Sequence, residues 1–273
     1  MMEFLLLSLL VYLALDAIIL AWFFLTPILV QSDNRLLFGL GMVGYNYGYL
    51  TSNCHQMPQR SLLIGTFQIP FCARDTAIYI GCLFGGILPF LKVKTPGWVK
   101  SMQFFILSMV PMAVDGVSQT SLDMRESSNE LRVATGVLFG FGLVYFFAVR
   151  IVEHSRNVER EYKAAIRIGL IFTMLIFAAA YMVGDDYVTE ADAIRQSGLN
   201  PTFITYASHR TLETLRYDQY LPTYDDAVLD ELVKYGNQGH GVWVIYEGQM
   251  NKEGKYVYFS KGEGEFKLVS DAK

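Results

Sequence analysis

Six apolar runs decide what this chain can become. They lie at about residues 4–30, 36–52, 76–92, 97–115, 133–152 and 164–184. A helix needs about 20 apolar residues to cross a bilayer, within a range of about 17 to 25. Hydrocarbon leaves no partner for an unpaired backbone amide, so such runs can cross only as helices. The pattern predicts an α-helical polytopic membrane protein with about six transmembrane helices over residues 1–186. The second run, GLGMVGYNYGYL, is short and glycine-rich, and holds as a helix only if a neighbour packs closely against it. The composition agrees: 52% hydrophobic and 18% charged, with a mean hydropathy of +0.29, more apolar than an ordinary soluble domain. The first run is too long for a signal-peptide core and lacks a charged leader, so it reads as a retained membrane helix.

With six spans the loops alternate sides. One side receives Arg35, Lys92, Lys94, Lys100, Arg150, Arg156, Arg160, Lys163 and Arg167; the other receives Arg60, Arg74, Arg125 and Arg132. Short loops rich in Lys and Arg stay cytoplasmic. Both termini are therefore expected outside the cytoplasm of a multi-pass cell-membrane protein. Residues 187–273 then form a small extracytoplasmic α+β domain. It holds a helix over YDDAVLDELVKYG, then strands in GVWVIYEG, KYVYFSKG and EFKLVS, with a turn at Asn251–Gly254. The net charge of −4 argues against nucleic acid as a partner.

Polar residues concentrate in two blocks on the expected outer side. The first, CHQMPQRSLLIGTFQIPFCARD (residues 54–75), carries Cys54, His55, Arg60, Cys72, Arg74 and Asp75. Thiolate and imidazole are ligands for zinc, copper, iron or haem. An oxidising compartment would instead favour a Cys54–Cys72 disulfide, closing a loop worth about 3 kcal/mol by chain entropy. A redox or catalytic thiol is the third alternative. Asp75 is placed to cap a helix beginning at Thr76.

The second block, residues 111–136, begins with Asp115, a carboxylate ending an apolar run, with Gln119 one helical turn on. Arg125, Asn129, Arg132 and Gly136 then fall on one helical face. Two guanidiniums and an amide suit an oxyanion, and equally suit a network with Asp75, Asp115 or Asp123. Ser127 and Ser128 read as cap or turn residues. Asp16, inside the first run, should face the bundle interior.

Cys54-His55-Gln56-x-Pro58-x-Arg60-Ser61, Pro70-Phe71-Cys72-Ala73-Arg74-Asp75 and Gly81 resemble the signature of an uncharacterised prokaryotic membrane-protein family, domain of unknown function 2085. Asp115-Gly116-x-x-Gln119 and the run from Arg125 to Gly136 resemble its second block. The resemblance spans about residues 45–150. It implies that the two blocks form one site, and it implies no reaction.

Three functions fit the sequence. The first is a structural or accessory subunit associated with other membrane subunits. The second is a membrane enzyme holding an anionic lipid or phosphate-bearing substrate with Arg60, Arg74, Gln119, Arg125, Asn129 and Arg132, using Asp115 as acid or base. The third is a metal, haem or thiol-redox site at Cys54, His55 and Cys72.

Overall fold

The computed structural model describes residues 2–32, 34–52, 60–91, 93–120, 127–155 and 158–183, and strands within 203–271. Six long helices follow the six apolar runs: α1 (Met2–Leu29), α2 (Arg35–Ser52), α3 (Ala73–Ile87), α4 (Met102–Thr120), α5 (Asn129–His154) and α6 (Val158–Val183). Four stretches are long and apolar enough to cross a membrane: Met2–Leu29, Ala73–Leu91, Asn129–His154 and Tyr162–Met182. Among the described residues α2 contributes a shorter apolar helix, Leu36–Tyr45. Pro111, Asp115 and Gln119 interrupt the hydropathy of α4.

Caps set several helix starts. Asn34 Oδ1 accepts from the Leu36 and Leu37 amides at 3.0 and 3.3 Å. Ser101 Oγ accepts from Phe104 N at 3.2 Å, and Ser128 Oγ from Leu131 N at 3.3 Å. The third helix begins at Ala73 rather than Thr76, so Asp75 sits in its first turn instead of capping it. A carboxylate there still faces the positive end of the helix.

The chain divides into two compact units. One comprises residues 1–22 and 73–175. Its centre is the packing of α3 on α5 through glycines. A Cβ on Gly85 would lie 2.6 Å from Phe141 O, and one on Gly136 would lie 2.7 Å from Arg74 O. Gly81 abuts Val137 O and Gly140 abuts Ile78 O just as closely. Leu9 and Leu13 of α1 pack with Ala148 of α5, and Leu6 and Leu10 with Ala165 of α6. The outward residues of α4 and α6 are apolar: Leu107 is 65% exposed, Val114 60% and Met174 70%. Such a surface suits lipid rather than water.

The other unit comprises residues 23–72 and 176–273. Its helical part explains the glycines of α2. A Cβ on Gly41 would lie 2.8 Å from Val30 N, and Gly44 sits against Thr26. The polar stretch before α3 is not wholly a loop. β1 (Ser61–Ile64) and β2 (Phe67–Cys72) form an antiparallel hairpin whose turn carries Gly65 at φ +62°. Phe71 is buried with its ring 4.1 Å from Phe23. β3 (Phe203–Ala207), β4 (Val242–Tyr246), β5 (Lys255–Lys261) and β6 (Glu265–Asp271) extend the sheet in the order β1-β2-β3-β4-β5-β6. β2 meets β3 in parallel at Phe67↔Ile204, and the remaining neighbours are antiparallel. The last three strands form where aromatic, valine-rich runs predict them. The expected helix over 224–236 lies outside the described residues.

Candidate functional site

The first turn of α3 places Arg74 beside α4, because the glycines at 81, 85, 136 and 140 hold α3 and α5 in backbone contact and leave the third side of α3 for its long side chain. Arg74 Nη2 donates to Asp115 Oδ2 at 2.5 Å and to Gln119 Oε1 at 3.3 Å. Asp115 and Gln119 are four residues apart on α4, so one guanidinium reaches both. Gly116 lies beside this contact without being required by it: a Cβ there would stand 3.9 Å from Arg74 Nη1, an ordinary contact distance. Ser127 Oγ donates to the same Asp115 Oδ2 at 3.0 Å. Asp115 is 2% exposed and the Arg74 side chain 21%. A carboxylate so deeply buried is costly without a cation, and Arg74 provides one.

One turn before Gly136, Arg132 is 4% exposed and its Nη1 donates to Asn129 Oδ1 at 2.9 Å. The first turn of α5 thus supplies a second guanidinium at the same end of this unit. Three donors near this end, Arg74 Nε, Gln119 Nε2 and Thr76 Oγ1, are buried without a hydrogen-bond partner among the described residues.

Five of the predicted residues, Arg74, Asp115, Gln119, Asn129 and Arg132, therefore lie in this one unit. The first three form a single contact group joining the two polar blocks, and the last two pair with each other. Arg60 is half-buried just before β1, in the other unit. Cys72 ends β2 and is half-buried. Cys54, His55 and Arg125 lie outside the described residues, and with them the expected disulfide and the metal or haem reading. Among the described residues no three His, Cys, Asp or Glu side chains gather as metal ligands would. The sequence reading missed Ser127, which bridges to Asp115 rather than only turning the chain. It also missed a buried pair in the hairpin, where Gln68 Nε2 donates to Ser61 Oγ at 2.7 Å and Tyr45 OH donates to Gln68 O. The signal for Ser127 was its place beside the Ser128 cap. Gln68 belongs to the polar stretch the sequence marks, but nothing in the sequence pairs it with Ser61.

Asp16 is 2% exposed, as its place in an apolar run predicts, and neither carboxylate oxygen has a hydrogen-bond partner among the described residues.

Residues 54–146 match the model of a family described as predicted membrane protein (DUF2085). An uncharacterised protein of Methanocaldococcus jannaschii is 42% identical over 101 residues, which are 37% of this chain and 64% of that protein. An uncharacterised protein of Methanothermobacter thermautotrophicus is 29% identical over 113 residues, 41% of this chain and 96% of that one. The chain thus spans under two thirds of the first relative and nearly all of the second. No solved structure matches. The matched stretch contains all of α3 and α4, most of α5, and every residue of the Arg74–Asp115 group.

Proposed function

We propose, for a chain whose residues 54–146 match the DUF2085 family of predicted membrane proteins, a six-span protein serving as a structural or accessory subunit of a larger membrane assembly. The observation that carries the non-catalytic reading is the state of Asp115. Its Oδ2 already accepts from Arg74 and Ser127, so the best acid–base candidate is engaged in tying α3, α4 and the start of α5 together. Two features support six spans. Leu107, Val110, Val114 and Val117 form an exposed apolar stripe on α4 while Ser108 and Asp115 point inward. On α5, Arg150 follows Arg132 by 18 residues, about 27 Å of helix and close to the hydrocarbon thickness of a bilayer. The lysine and arginine distribution then orients the Arg74 end and residues 187–273 outward. Extraction in mild detergent followed by native mass spectrometry tests the role. A second polypeptide at fixed stoichiometry is expected, and a chain that is fully functional in its native membrane yet always isolated alone overturns the reading.

A second reading is favoured by Arg74 Nε, Gln119 Nε2 and Thr76 Oγ1, buried donors with no hydrogen-bond partner among the described residues. A phosphate or carboxylate oxygen would satisfy them, with Arg132, Asn129, Arg60 and Arg125 as further candidates and Asp115 as acid or base. Inorganic phosphate and phosphatidylglycerol vesicles are the probes. Binding that survives both Arg74→Lys and Gln119→Ala unchanged removes this reading.

A further inference from the structure

The other end of the first unit holds a separate polar cluster. The turns Leu88–Leu91 and Gly97–Lys100 and the last turns of α5 border a cavity of about 560 Å³. Val93 and Val149 line it together with Lys94, Thr95, Lys100, Tyr145 and Glu153. Thr95 Oγ1 and Tyr145 OH are 2.5 Å apart, two hydroxyls at the cavity wall. Lys100 Nζ donates to Glu153 Oε1 at 2.6 Å, a hydrogen bond that holds its ammonium above the usual lysine range. Lys94 is exposed and makes no ion pair among the described residues. Glu153 therefore balances one lysine and leaves the other in surplus. Arg150 adds a third cation nearby, donating to Lys100 O at 3.0 Å and lying over the Phe146 ring at 3.7 Å.

The border of this cavity has the character of a membrane interface. Trp98 is 63% exposed and packs edge-on against Phe104 at 5.4 Å, and Leu91 and Val93 are exposed as well. Exposed tryptophan next to exposed aliphatic residues marks a membrane interface. The combination of surplus cation, hydroxyl pair and apolar wall calls for an occupant with a negative head and a hydrocarbon tail.

We propose that this cavity binds an anionic phospholipid, with its phosphate between Lys94 and Lys100, its glycerol region at Thr95 and Tyr145, and an acyl chain along Val93 and Val149. Basic pockets between membrane helices hold acidic headgroups by this charge match, and a zwitterionic lipid brings a cation that the lysines repel.

The test is native mass spectrometry of the full chain in mild detergent, titrated in parallel with dioleoylphosphatidylglycerol and dioleoylphosphatidylcholine. The anionic lipid should bind at lower concentration. Lys94→Gln should weaken it about fivefold, the effect of one lysine near an anionic headgroup, and leave the zwitterionic lipid unchanged. Lys94→Arg should restore it. Lys94 lies exposed between helices, so these variants should keep the wild-type melting curve. Equal binding of the two lipids, or anionic binding unaltered in Lys94→Gln, overturns the site. Full displacement of the lipid by excess inorganic phosphate overturns it in favour of a soluble anion.

Discussion

Asp115 accepts from Arg74 of α3 and from Ser127 just before α5, so removing Arg74 should be felt well beyond its own helix. Arg74→Ala strips Asp115 of its cation while leaving the carboxylate buried. The expected loss is about 3–5 kcal/mol, read as a lower unfolding midpoint in detergent. Replacing both partners by leucine removes the buried charge together with its counterion, and should recover most of that loss. An Arg74→Ala protein as stable as wild type would show that the pair contributes nothing. Asp16 poses the opposite case. Both its oxygens are buried without a hydrogen-bond partner among the described residues, so Asp16→Leu should raise stability by about 1–3 kcal/mol. A less stable Asp16→Leu protein would reveal a compensating interaction. The sequence marked both residues as anomalous, because a carboxylate within an apolar run is expensive wherever it ends up. It did not say which would find a cation, since Arg74 and Asp115 are 41 residues apart.

At the scale of elements, the α3–α5 contact rests on two matching motifs. GCLFG (81–85) and GVLFG (136–140) each place glycines four residues apart inside an apolar run. This spacing puts both glycines on one helical face and lets backbones meet. The motif was readable in the sequence, yet which two helices it joins is a tertiary fact. Gly136→Val would drive a branched side chain into Arg74 O and Ala77, costing about 1–3 kcal/mol or more. Gly116→Ala, whose Cβ meets only Arg74 Nη1 at 3.9 Å, is the control and should change stability by less than about 1 kcal/mol. Equal losses at the two positions would refute close packing as the cause. The β1–β2 hairpin was less legible. Its second strand, FQIPFC, is buried at all but its last residue, so it lacks the alternation that announces a strand exposed on one face.

For the whole molecule, the decisive experiment is topological. A protease-cleavable tag after Lys273 should be cut from outside intact cells, and a tag inserted in the connection between α5 and α6 should be protected. The reverse pattern would invert the orientation argued from the basic loops. It would leave the Arg74–Asp115 group intact, because that group depends on contacts and not on which side of the membrane it faces.

The sequence by itself determined that the chain makes apolar helices, roughly where they lie, and that its ionic residues gather in two blocks. These properties follow from local hydropathy and from the cost of placing charge in hydrocarbon, and both can be counted along the chain. Only the tertiary structure decided that Arg74 bonds Asp115 rather than Asp75, that Ser127 joins them, and that the stretch between Ser61 and Cys72 becomes a hairpin. Those choices are made by packing. Glycine contacts between α3 and α5 fix where Arg74 can reach, and no property of the residues taken one at a time carries that distance.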